Sequence, residues 1–281
     1  MHLSTVETVL EYQVRVPTHF CFNIEAAQWP TQTIVSERLA VSSGVDLRKF
    51  TDEGSGNRFF RFDAAPGPLL VNYKADVEVH SQHVEENLPE VPVGQLPDSI
   101  FHYLLPTRYC ESDVMGPVAQ ELFGNAPPGI ARVRTVVKWI HENIAYRPGS
   151  TKSTTTAHEV FDGRAGVCRD FAHLGITMCR ALNIPARIVV GYVWFDEPPQ
   201  DFHAIFEAWI GGRWVLFDPT GMAPVDRLVR IGTGRDAKDV AFSTFFGAVE
   251  MTRMEVKVLE HEPRTTPNSG EAVVELAAAG A

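Results

Sequence analysis

A chain of 281 residues, 44% hydrophobic and 21% charged, has room for one large globular domain or two ordinary ones, and its composition excludes a fibrous or disordered protein. A formal charge of −10 argues against nucleic acid or an anionic membrane surface as the partner. Four cysteines in this length make no disulfide framework, so free thiols and a cytoplasmic location are expected.

The first twenty residues lack a basic stretch followed by an apolar one, so no leader peptide is expected, and no apolar run approaches the ~20 residues that span a bilayer. Up to about residue 95, short runs alternate polar and apolar positions, which is the signature of strands. Examples are VLEYQVRV, HFCFNI, TIVSERLAV, NRFFRF and LLVNYKADVEV, separated by turn-formers at Pro30, Ser43-Gly44, Gly54–Asn57 and Pro66–Pro68. They predict an N-terminal antiparallel β-sandwich over 1–95. The proline-rich NLPEVPVGQLPD then marks a boundary.

Beyond it the period changes. Val133, Val136, Val137, Ile140 and Ile144 recur at helical spacing. Thr156 and Glu159 fit a capping box that opens a short helix. Phe171, Leu174, Met178 and Leu182 mark a third helix, closed near Asn183 and Pro185. Strand-like runs follow: ARIVVGYVWF, HAIFEAWI, RWVLFD, RLVRI and VEMTRMEVKVLE. Helices followed by strands predict an α+β domain over 96–262, helices packed on an antiparallel sheet, with 263–281 as a flexible tail.

Cys168 stands at the predicted start of the third helix, where unsatisfied N–H groups and the positive end of the dipole favour a thiolate. Gly163 and Gly166 upstream allow a tight turn, and Arg164 and Arg169 add positive charge. Cys168 and Cys179 cannot pair: eleven residues along one helix separate them by about 16 Å. A cysteine nucleophile also needs a base and a group that orients the base. Gly211-Gly212 reads as a two-residue hairpin turn, so Ile210 pairs with Arg213, and Ile205 lies opposite Asp218. Period-two alternation then puts His203 and Asp218 on one face as diagonal neighbours. A carboxylate there can hold one imidazole nitrogen and leave the other for Cys168. A one-residue slip would separate them.

GVCRDFAHLGITMCRALNIPARIVVGY resembles the cysteine motif of the transglutaminase-like superfamily, and HAIFEAWIGGRWVLFDPTGM resembles its histidine and aspartate motifs. The first half, notably DEGSGNRFFRFDAAPGPLLVNYKADVEV, is similar to the β-rich N-terminal region of bacterial members, and YLLPTRYCESD to the linker before their catalytic domain. The resemblance covers nearly the whole chain. It implies a papain-like Cys-His-Asp triad of Cys168, His203 and Asp218, acting through a thioester on amide bonds of a peptide or protein. It also implies an oxyanion stabiliser, for which the Cys168 N–H and an aromatic side chain, Tyr146 or Trp139, are candidates, with Tyr146 preferred. Many relatives read HAW where this chain has His203-Ala204-Ile205, which leaves the triad intact.

Hydrolysis is the expected outcome, because water needs no dedicated acceptor site. Cross-linking by an amine acceptor and a non-catalytic binding protein are the alternatives. No metal, cofactor or nucleic-acid role is expected. His80 and His83 fall on opposite faces of a strand-like run, and GTGRDA lacks the full dinucleotide fingerprint. No calcium loop, P-loop or GxSxG occurs. Cys179 reads as core, His173 as structural, and Arg169 and Asp170 as organisers of the helix start.

Overall fold

The computed structural model describes residues 1–42, 44–81 and 84–261. His83 and the 263–281 tail lie outside the described residues. Six strands come first: β1 (His2–Val14), β2 (Thr18–Phe22), β3 (Gln32–Val41), β4 (Arg48–Thr51), β5 (Arg58–Ala64) and β6 (Gly67–Val79). Alternation decides which face is buried. Val6, Leu10 and Tyr12 of β1, Phe20 and Phe22 of β2, Phe60 and Phe62 of β5, and Val71 and Tyr73 of β6 share one core. Their outward neighbours stay in contact with solvent. The result is the expected β-sandwich of two four-stranded sheets.

The helices are α1 (Asp98–Phe101), α2 (Gly116–Phe123), α3 (Ile130–Asn143), α4 (Ala157–Gly163) and α5 (Cys168–Ala181). The capping box forms: the Thr156 N–H donates to Glu159 Oε2 at 2.9 Å, and Glu159 N–H returns to Thr156 Oγ1. A two-stranded parallel pair, β7 (Ala145–Tyr146) with β8 (Ala165–Gly166), ties the end of α3 to the approach of α5. The main sheet of this half runs β11-β10-β9-β12, built from β9 (Ala186–Tyr192), β10 (His203–Ile210), β11 (Arg213–Phe217) and β12 (Val229–Gly234), all antiparallel. Helix α5 lies on β9 and β10, with Phe171, Leu174 and Met178 in one core with Ile188, Ala204 and Phe206.

The expected assignment of 243–261 to the helix-bearing domain needs correction. β13 (Ser243–Phe246) and β14 (Val249–His261) belong to the sandwich, not to the helix-bearing sheet. β14 pairs with β1 along Leu3↔His261 to Val14↔Val249, and β13 pairs with β2. Val256 and Val258 thereby enter the sandwich core. The physical reason is that alternation reveals which face of a strand is buried, never which strand lies beside it. The chain therefore starts in the sandwich, builds the helical half, and returns. β12 is sealed against the sandwich side as well: Gln32 donates to Arg230 O and accepts from Arg230 N–H, and Asn57 does the same with Thr233. Among the described residues no helix is long and apolar enough to cross a membrane.

Candidate active site

Cys168 opens α5. Its approach is held by Asp170, wholly buried, whose Oδ2 accepts from the Val167 N–H at 2.9 Å and from Thr151 Oγ1 at 2.6 Å. Arg169 closes on the same carboxylate and on Lys152 O. Gly166 is required here, because a Cβ would lie 2.8 Å from Asp170 Cβ. Gly163 is not the turning residue that the sequence suggests. It is the last residue of α4, and the left-handed position is Arg164, at φ 53°. The Arg164 guanidinium stacks over Phe161 and Trp139.

The hairpin has the expected register. Gly211 and Gly212 both take positive φ, as the turn demands, and Ile210 pairs with Arg213 through to Phe206 with Phe217. His203 is 1% exposed, and its Nε2 lies 3.0 Å from Asp218 Oδ2. A carboxylate only accepts, so the proton is on Nε2 and Nδ1 is left for another partner. Nδ1 is buried without a hydrogen-bond partner, and Cys168 lies close by, its Sγ 3.9 Å from the carbonyl of the adjoining Phe202. Burial works against a charged imidazole, but Asp218 and Cys168 outweigh it and push His203 up to about 10. Asp218 is also raised by burial, yet the hydrogen bonds from His203 and Thr220 hold it below the usual carboxylate range. Thr220 supplies both its N–H and its hydroxyl to Asp218 Oδ1.

Tyr146 is delivered by the β7–β8 pair, which sets it beside Gly166, two residues before Cys168. Burial first, and then the proximity of Cys168, push its phenol up, so it stays a neutral hydroxyl able to donate. Trp139 does not reach the site. It packs edge-on to Phe123 and flat on Phe161. Cys179 is buried in the core, where burial raises its thiol. His173 is buried and stacked on Tyr109, accepts from Ala237 N–H, and is pushed down to about 3 by burial.

Several neighbours were not legible beforehand. Phe202 O lies 3.9 Å from Cys168 Sγ, and Phe202 N–H is held by Asp201 Oδ1 at 2.6 Å. Asp201 is solvent-accessible, yet the atoms crowding its carboxyl raise it despite that bond. Phe195 packs beside the His203 ring. His141 of α3 donates from Nδ1 to Thr220 O and leaves no room at Gly221, where a Cβ would fall 2.9 Å from its ring. Gly175 lets α5 close on β10, since a Cβ there would sit 2.5 Å from the Phe206 ring. Of these only Thr220 carried a signal, in the Asp-Pro-Thr turn. Among the described residues no group of three or more His, Cys, Asp or Glu side chains could hold a metal ion.

Residues 117–219 match the Transglutaminase-like superfamily, and residues 2–99 match the Bacterial transglutaminase, N-terminal domain. The crystal structure of a candidate cysteine protease from Cytophaga hutchinsonii superposes with a TM-score of 0.88 at 39% identity, over 96% of this chain and 94% of that one. An uncharacterised protein of Mycobacterium leprae is 31% identical over 228 residues, 75% of this chain and 79% of the relative. A protein-glutamine gamma-glutamyltransferase of Pseudomonas aeruginosa is 29% identical over 116 residues, 37% of this chain and 17% of that enzyme.

Proposed function

Since the chain belongs to the transglutaminase-like superfamily and joins its N-terminal domain to its core, we propose that it hydrolyses amide bonds of a peptide or protein through a cysteine thioester. The observation that carries this reading is a buried imidazole whose Nε2 is held by Asp218 at 3.0 Å and whose Nδ1 is left unpaired, one residue from the Phe202 carbonyl that lies 3.9 Å from Cys168 Sγ. Cys168 Sγ attacks the amide carbonyl carbon as its proton passes to His203 Nδ1. The oxyanion meets the Cys168 N–H, which has no intrahelical partner, and the Tyr146 hydroxyl. Collapse breaks the C–N bond as Nδ1 protonates the leaving nitrogen. Water then attacks the thioester carbonyl, gives a proton to Nδ1, and releases the carboxylate and the thiol. Asp218 keeps the ring in the tautomer and orientation that each step uses.

Similarity to the Cytophaga protein over nearly its whole length supports water as the acceptor, whereas similarity to the gamma-glutamyltransferase is confined to a small part of that enzyme. Incubation with a peptide library, with and without a primary amine, tests the choice by mass spectrometry. Backbone cleavage or glutamine deamidation supports hydrolysis. Amine incorporation in preference to either would overturn it.

A further inference from the structure

The segment between β9 and β10 meets the sandwich and the candidate site at the same residues. The Phe202 ring stacks on Phe242, with centroids 5.0 Å apart, packs tilted against Tyr192, and belongs to the periphery of the sandwich core. Its carbonyl, on the same residue, touches Cys168 Sγ, and the next residue is His203. Two positions back, Gln200 Oε1 accepts the Val258 N–H of β14 at 2.6 Å, taking up a donor on the outer edge of that strand. Tyr192 is itself locked in place, donating to Ile24 O and accepting from Thr8 of β1. Anchors from β1, β14 and the approach to β13 thus converge on Gln200 and Phe202, beside the thiol.

We infer that the sandwich is part of the reacting unit, and that Gln200, Phe202 and Phe242 are positioning residues that set the Phe202–His203 peptide against Cys168. This rests on the reading of Cys168 and His203 as thiol and base. A bulge or hinge at 200–202 would move the carbonyl and the imidazole together, since the two groups sit on adjacent residues at the start of β10. The returning strands have a purpose in this arrangement: β14 is the edge strand that presents its N–H to the site loop.

The test is the rate of Cys168 alkylation by iodoacetamide across pH, read by peptide mass mapping, with thermal melting in parallel. In the wild type the profile should inflect at about pH 10, where His203 loses its proton. Gln200→Ala removes one hydrogen bond without opening a cavity, so alkylation at neutral pH should slow about fivefold. The inflection should also move to lower pH, with the melting temperature nearly unchanged. Gln200→Glu keeps the acceptor and should restore both. Phe242→Ala should have the larger effect and Phe242→Leu a smaller one. Profiles of Gln200→Ala and Phe242→Leu that match the wild type, while His203→Ala abolishes the inflection, would overturn this inference alone. A His203→Ala profile identical to the wild type would overturn the reading beneath it as well.

Discussion

Gly175→Ala probes the contact that brings helix and hairpin together. The added Cβ would stand 2.5 Å from Phe206 Cε1 and 2.8 Å from Cδ1, closer than packed carbon atoms approach. The ring cannot swing aside easily, because it is buried and stacked on Phe217 with centroids 5.5 Å apart. Alanine gains about 1 kcal/mol of helix propensity over glycine, while overpacking a filled core costs about 1–3 kcal/mol. A clash of this depth belongs at the upper end, leaving a net loss of about 1–2 kcal/mol. In a chain of this size that lowers the melting temperature by about 2–8 °C. Differential scanning calorimetry measures it, and Cys168 alkylation should slow in step as α5 is pushed off β10. Adding Phe206→Leu opens space beside residue 175. The double variant should therefore be more stable than the two single losses predict, by about 0.5–3 kcal/mol. A Gly175→Ala protein that melts at or above the wild type would refute the packing argument.

Three further expectations concern the site and its support. Asp218→Asn removes a leading interaction that keeps His203 protonated, so the inflection near pH 10 in Cys168 reactivity should fall toward the ordinary imidazole range; an unmoved inflection counts against Asp218 as the orienting group. Tyr146→Phe deletes a proposed oxyanion donor and should lower kcat about 10²-fold with little change in KM, as steady-state kinetics on a responsive peptide will show. Glu207 is buried between Arg187 and Arg230, with contacts of 2.5 and 2.8 Å, and Arg187 also stacks over Trp214. Glu207→Ala leaves two buried cations unpaired, and chemical denaturation should register a loss of about 3–5 kcal/mol.

Much of the candidate site could be read locally because its geometry is local. Two glycines fix the hairpin turn, the turn fixes the register, and the register fixes the face shared by His203 and Asp218. Cys168 at the head of an amphipathic helix is equally a matter of short-range pattern. What escaped was long-range. The pairing of β14 with β1 joins residues more than 230 positions apart, and nothing in VEMTRMEVKVLE distinguishes that neighbour from β12. The contact of Phe202 with Cys168 spans 34 residues and runs through a backbone carbonyl, an atom that every residue owns. Gly163 misled for a different reason: glycine permits a left-handed turn without requiring one. The position fell one residue later, on Arg164, whose guanidinium is held over Phe161.

In the proposed reaction Cys168 carries the acyl group. An acid-quenched reaction with a susceptible peptide amide or ester, followed by peptide mapping, addresses it directly. The acyl mass should appear on the Cys168 peptide, with Cys21, Cys110 and Cys179 unmodified and a Cys168→Ala variant inert. Acylation elsewhere, or turnover by Cys168→Ala at the wild-type rate, would contradict it.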